Sequence, residues 1–127
     1  MAGLTLDAAA LIAYERNETR IFTLLRRAID RGATITVPAG VVAQTWRGRS
    51  GSQLGRFLEA CRVEALDEPL ARAAGTLCGL AGTSDVVDAS AVVGAAARGD
   101  AIVTADVADI ARLANHVRGL GAIIPLA

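Results

Sequence analysis

Short apolar runs alternate along the chain with longer stretches of helical spacing. Five runs predict buried strands: Gly3–Leu6, Thr34–Val37, Val63–Leu66, Ala101–Thr104 and Ala122–Ile124. Between them, apolar residues three or four positions apart predict helices: Ala8–Tyr14, Glu18–Arg31, Ala39–Arg47, Gln53–Cys61, Glu68–Leu80, a long helix to Arg98 that Thr83 or Ser84 would cap, and Val107–Val117. Strands that alternate with helices predict an α/β fold with a parallel sheet covered on both faces.

Length and composition are those of one domain that spans residues 1–127. The chain is 53% hydrophobic but only 3% aromatic, so Ala, Val, Leu and Ile must build the core. We expect Cys61 and Cys78 to be small buried thiols, as in a reducing compartment. There is neither a signal-peptide pattern nor an apolar run of about 18 residues, which predicts a soluble, cytoplasmic protein without a membrane partner.

The basic residues exclude several α/β chemistries. All 13 are Arg, and the net charge is zero. P-loop NTPases, receiver domains and haloacid-dehalogenase phosphatases use a Lys near the phosphoryl group, so these classes are not favoured. The single histidine, His116, lies near the end of a predicted helix, where an imidazolium suits the helix dipole. No GxGxxG sequence follows a predicted strand, so a dinucleotide site is unsupported.

Carboxylates follow two of the predicted strands. Asp7 comes directly after the first strand and Asp106 after the fourth. Ligands of open α/β sheets bind outside the carboxyl ends of the strands, where the winding reverses. Asp85 and Asp88 are one helical turn apart and can face the same side. Helix capping would explain Asp85 and Asp106, but Asp88 is expected too deep in its helix, and this explanation is weaker for Asp7.

A divalent cation would relieve the repulsion among these carboxylates. Groups of acids without basic partners raise one another's pKa values, whereas Mg²⁺ or Mn²⁺ takes oxygen ligands and keeps waters. Asp109, in the first turn of the last predicted helix, has the same two explanations: helix stabilisation or a place near such an ion.

Four stretches together resemble the PIN-domain family, particularly its VapC-like toxin branch. In order they are LTLDAAALIA, VPAGVVAQTW, TSDVVDASAVVGAA and IVTADVADIARL, which span Leu4 to Leu113. The resemblance implies a compact, five-stranded α/β/α sandwich that cleaves RNA with Mg²⁺ or Mn²⁺. It also implies that Asp7, Asp88 and Asp106 bind the metal, with Asp109 as a companion. A small antitoxin protein and a homodimer are its implied partners.

One position departs from the family pattern. The helix after the second strand usually carries a Glu, where this chain has Gln44. Gln keeps an oxygen acceptor and could hold a metal-bound water, but it carries no charge. We hypothesise that Asp85 compensates as an additional ligand, either through metal-bound water or for a second ion.

A basic segment follows Gln44. Arg47 and Arg49 could bind RNA phosphates and Trp46 could stack on a base, which would form an RNA-guiding rim. The alternative is a solvated loop with the Trp packed on the core. Our primary interpretation is therefore a metal-dependent ribonuclease. The alternative is a PIN-like module that binds RNA or a protein and does little chemistry because Gln44 replaces Glu.

Overall fold

The computed structural model describes residues 2–49 and 52–126. The described strands are β1 (Leu4–Leu6), β2 (Ile35–Pro38), β3 (Arg62–Glu64), β4 (Ala101–Thr104) and β5 (Ile123–Pro125). The helices are α1 (Ala8–Glu15), α2 (Thr19–Asp30), α3 (Ala39–Thr45), α4 (Gln53–Ala60), α5 (Glu68–Ala81), α6 (Val86–Arg98) and α7 (Val107–Ala114). Within these ranges the predicted order of strands and helices is confirmed.

All five strands are parallel and lie in the order β3-β2-β1-β4-β5. The chain winds outward from β1 through β2 to β3, then returns to place β4 on the other side of β1. The winding therefore reverses between β1 and β4, and this is where the crevice of an open α/β sheet forms. In the register of these two strands, Leu6 lies opposite Val103.

Two apolar clusters pack on opposite faces of the sheet, since successive side chains of a strand point to opposite sides. Val103 belongs to the cluster formed with α1 to α4, and its neighbour Ile102 belongs to the cluster formed with α5, α6 and α7. The clusters consist mainly of Leu, Ile, Val and Ala. The α/β/α sandwich predicted from the sequence is confirmed.

A polar network crosses the α6 side of the sheet. Arg98 of α6 forms ion pairs with Glu64 (Nη1 to Oε2, 2.7 Å) and with Asp100 (Nε to Oδ2, 2.9 Å). Its Nη2 also donates to the buried hydroxyl of Thr5 at 3.0 Å. Gly94 makes room for this network, because a Cβ at that position would lie 2.0 Å from Oε1 of Glu64.

The predicted start of α6 and the predicted end of α7 differ from the structure. Helix α6 begins at Val86 with Asp85 as its N-cap, so the expected cap at Thr83 or Ser84 is wrong. The Thr83 hydroxyl instead accepts from the backbone N–H of Asp85 at 3.2 Å. Helix α7 ends at Ala114, which leaves His116 exposed in the turn beyond it. Of the predicted loop 48–51, residues 50 and 51 lie outside the described residues.

Both cysteines are free, and Cys78 is buried as expected. Cys61 is only half-buried, but burial raises the pKa of its thiol to about 11, so the thiol stays protonated at neutral pH. In the described part of the chain, no single helix is long and apolar enough to span a membrane. By length and composition, only α5 and α6 taken together could do so, with a bend of 109° between them.

Candidate metal centre

Asp7 lies at the carboxyl end of β1, against β4. Its backbone N–H donates to the carbonyl of Val103 at 3.2 Å, and the residue is only 8% exposed. The side chain is also the N-cap of α1, where Oδ1 accepts from the N–H of Ala10 at 3.0 Å. Capping, which the sequence favoured less for this residue, therefore occupies one carboxylate oxygen. The second oxygen makes no hydrogen bond with the described residues.

Asp106 lies across the crevice, two residues beyond the end of β4. It occupies the N-cap position of α7, but its side chain makes no capping hydrogen bond. Its backbone N–H donates to the Thr104 hydroxyl at 2.9 Å, which fixes the turn that carries it. The capping explanation thus fails for Asp106, although its position in the chain suggested it, and the carboxylate is left for another use.

Asp85 and Asp88 begin α6. Oδ1 of Asp85 accepts from the backbone N–H of Asp88 at 3.0 Å, so Asp85 caps the helix. Because α6 begins at Val86, Asp88 is in the first turn, and the expectation that it lies deep in the helix is wrong. It does not cap the helix, because the N-cap is Asp85.

The Asp88 carboxyl has a pKa raised from 3.8 to about 7. Burial is the largest cause, followed by the charge of Asp85 and a side-chain hydrogen bond with it, and then by the charges of Asp7 and Asp106. Helices and strands that are distant in sequence therefore bring these carboxylates within electrostatic reach of one another. Without a bound cation, Asp88 is about half protonated at neutral pH.

A cavity of about 260 Å³ adjoins this group of acids. It is lined by Asp85, Asp88 and Asp109, together with Thr83, Arg112 and Leu113. Asp88 is therefore within electrostatic reach of Asp7 and Asp106 and shares this cavity with Asp85 and Asp109. Sequence reasoning did not identify Arg112, although its spacing of three residues from Asp109 places both on one side of α7.

Gln44 lies on α3, one turn beyond Gly40. A Cβ at Gly40 would lie 3.0 Å from Cγ2 of Val87, so that side of α3 faces the start of α6. Residues four apart share a helix face, and Gln44 is therefore on the side towards α6. Its side chain is exposed and makes no hydrogen bond within residues 2–49 and 52–126.

The basic segment after α3 is positioned by its own contacts. The Arg47 guanidinium donates to the carbonyls of Trp46 (2.8 Å) and Gln44 (3.0 Å) at the end of α3. Trp46 is half-buried against α4, where a Cβ at Gly55 would lie 3.3 Å from its Cη2. With the exposed Arg49, these residues line a cavity of about 310 Å³. This cavity shares no residue with the one beside Asp88.

The chemical type of these side chains suits a hard divalent cation. Every donor is a carboxylate oxygen, and Asp88 is destabilised as an anion in the absence of positive charge. The side chains as placed do not yet form a ligand cage: among the described residues, no three His, Cys, Asp or Glu side chains come together in a metal-holding group. Binding of an ion would therefore require these carboxylates to move closer together.

Several solved structures share this fold. A chain of VapBC2 from Rickettsia felis, bound to a DNA fragment from the promoter, aligns with a TM-score of 0.70 at 16% identity, over 94% of this chain and 96% of that one. FitAB bound to IR36 DNA aligns with a TM-score of 0.64 at 17% identity, over 87% of this chain and 90% of that one. DNA-bound VapBC from Salmonella typhimurium aligns with a TM-score of 0.63 at 17% identity, over 96% of this chain and 97% of that one.

Comparison of sequences adds nothing to this result, since neither a family model nor a curated protein matches the chain. The structural likeness covers nearly the whole molecule, and the strand order places Asp7 and Asp106 at the crevice. The chain therefore has the PIN-like fold that its motifs predicted, in the form shared by the VapBC and FitAB proteins.

Proposed function

We propose that the protein is a metal-dependent ribonuclease and the toxin of a toxin–antitoxin pair. The observation that carries the proposal is the carboxyl of Asp88, whose pKa is raised first by burial and then by the charges of Asp85, Asp7 and Asp106. Helix capping accounts for Asp7 and Asp85, but it explains neither Asp88 nor the Asp106 side chain, which makes no capping hydrogen bond. The shared fold with VapBC and FitAB proteins favours the same function.

In this proposal Asp7, Asp88 and Asp106 hold Mg²⁺ or Mn²⁺. The ion, when bound, supplies an activated water and stabilises the charge that develops on the RNA phosphate. The capping bond of Asp7 to α1 fixes the direction of one oxygen and leaves the other for the ion. Asp85 and Asp109 line a cavity together with Asp88, where they would orient metal-bound waters or bind a second ion.

The chain would act in the cytoplasm with an RNA substrate and a cognate antitoxin, and as a homodimer. The VapBC and FitAB structures are complexes bound to DNA, which supports a protein partner for this chain as well. The surface of Trp46, Arg47 and Arg49 remains our candidate for guiding RNA. Because Arg47 is held against the end of α3, Arg49 is the cation of this surface that is more available to RNA.

Purified, partner-free protein should cleave RNA in Mg²⁺ or Mn²⁺ and not in EDTA. We expect Asp7→Asn to lower the cleavage rate by about 100-fold or more, because it removes a charged ligand while the amide oxygen can still cap α1. Asp30→Asn is the matched control, since Asp30 is an exposed carboxylate at the end of α2. Equal rates for both variants would refute the assignment of Asp7.

The second candidate function is a binding module with little catalysis, which the uncharged Gln44 favours. Gln44→Glu restores the family's carboxylate on the side of α3 that faces α6. In a ribonuclease we expect it to tighten Mn²⁺ binding and raise the cleavage rate about tenfold, as one more carboxylate strengthens a divalent site. Cleavage that appears only in Gln44→Glu would show a retained fold whose chemistry has been lost.

A further inference from the structure

Arg112 is the cation in the wall of the acid-lined cavity. It lies in the last turn of α7, and three carboxylates, those of Asp85, Asp88 and Asp109, line the same cavity of about 260 Å³. Arg112 is exposed and forms no ion pair or hydrogen bond with any of the described residues. Arg112 thus borders the same cavity as these acids without being paired with one of them.

This placement matters for an anionic substrate. Asp85, Asp88 and Asp109 line one cavity, and their carboxylates create a negative field there. The same field repels a phosphate group that approaches the crevice, and a metal ion offsets only part of that negative charge. An arginine in the wall of this cavity provides attraction for a phosphate beside the acids, and its planar fork matches two phosphate oxygens.

We propose that Arg112 is a substrate-positioning residue that binds an RNA phosphate next to the one cleaved. The inference rests on the proposed nuclease function and adds a phosphate contact on the α7 side of the centre. In this inference the RNA backbone crosses Asp88. Arg112 lies on one side of it, and the rim formed by Trp46 and Arg49, at the end of α3 and in the loop after it, lies on the other.

The alternative role for Arg112 is structural. A cation in the last turn of a helix stabilises the helix slightly through its dipole. A purely structural arginine would alter thermal stability slightly and leave RNA binding unchanged. The salt dependence of RNA binding distinguishes the two roles, since each phosphate contact adds about one unit to its slope.

The test compares Arg112→Gln, Arg112→Lys and Arg31→Gln in the full chain. Arg31 is an exposed arginine at the end of α2, before β2, and therefore lies at the end of the sheet opposite the carboxyl ends of the strands. Binding of a fluorescent pool of random single-stranded oligoribonucleotides is measured by anisotropy in EDTA, between about 50 and 200 mM salt. KM and kcat for cleavage of the same pool are measured in Mn²⁺.

We expect Arg112→Gln to weaken binding about tenfold, to reduce the salt slope by about one and to raise KM more than it lowers kcat. Arg112→Lys should keep the slope and recover part of the affinity, because it retains the charge but loses the bidentate geometry. If Arg112→Gln binds and cleaves the pool as the wild type does, and its salt slope equals that of Arg31→Gln, the role of Arg112 is overturned but the nuclease function is not. Wild-type protein that neither binds nor cleaves the pool would overturn the nuclease function, and this inference with it.

Discussion

Asp88→Asn is expected to stabilise the metal-free protein at about pH 8 while it abolishes RNA cleavage. The folded state holds a proton on Asp88 up to about pH 7, whereas the unfolded chain releases it near 3.8. As pH rises between these values, the folded state binds more protons than the unfolded state, so stability falls. Above the pKa that Asp88 has in the folded state, its ionised carboxylate lowers the free energy of unfolding by the full amount. A neutral Asn at this position does not cause that loss.

The free energy of unfolding, measured in urea without metal, should rise by about 1–2 kcal/mol in Asp88→Asn at about pH 8. That range discounts the pKa shift for the partial solvent exposure of the side chain. Near pH 3 the gain should vanish, because Asp88 is then protonated in both states. A variant less stable than wild type at the higher pH would mean that a favourable partner, and not repulsion, determines the state of Asp88.

Arg98→Met is expected to destabilise the protein by about 3–5 kcal/mol. The guanidinium lies between the carboxylates of Glu64 and Asp100, whose side chains are 19% and 5% exposed. Burial alone would lower the pKa of Arg98, but the hydrogen bonds and charges of these two partners outweigh it and the pKa is raised. Removal of Arg98 leaves two carboxylates beneath α6 without their cation.

Urea unfolding of Arg98→Met and Arg72→Met measures this effect. Arg72 pairs with Glu68 on the surface of α5, with side chains 79% and 73% exposed, and its loss should cost less than about 1 kcal/mol. Adding Glu64→Leu to Arg98→Met should recover part of the loss, because one unpaired carboxylate is removed. Equal costs for the two single variants would show that the network contributes no more than a surface pair.

The fold followed from the sequence because short apolar runs alternate with stretches of helical spacing, and because glycines mark the ends of the long helices. Gly82 and Gly99, at the ends of α5 and α6, adopt the left-handed conformation that suits glycine. The start of α6 was misplaced because Thr83, Ser84 and Asp85 are all good N-caps. Only the tertiary position of α6 selects Asp85 among them.

The candidate site was predictable where it depends on strand ends. Asp7 and Asp106 each follow a strand, and parallel strands bring their carboxyl ends to one edge. The network of Arg98, Glu64 and Asp100 was missed because Glu64, on β3, is far in sequence from Arg98 and Asp100, which lie at and just beyond the end of α6. Arg112 was missed for a similar reason, since its importance depends on which side of α7 faces α6.

The most direct test of the central claim is equilibrium binding of Mn²⁺ to the metal-free protein, followed by the EPR signal of the free ion. Wild type should bind Mn²⁺ more tightly as pH rises through about 7, because Asp88 must lose its proton to become a ligand. Asp88→Asn should lose that binding, and Asp30→Asn should keep it. Wild type that binds no Mn²⁺ at millimolar concentration, or Asp88→Asn that binds it equally well, would contradict a metal centre at these carboxylates.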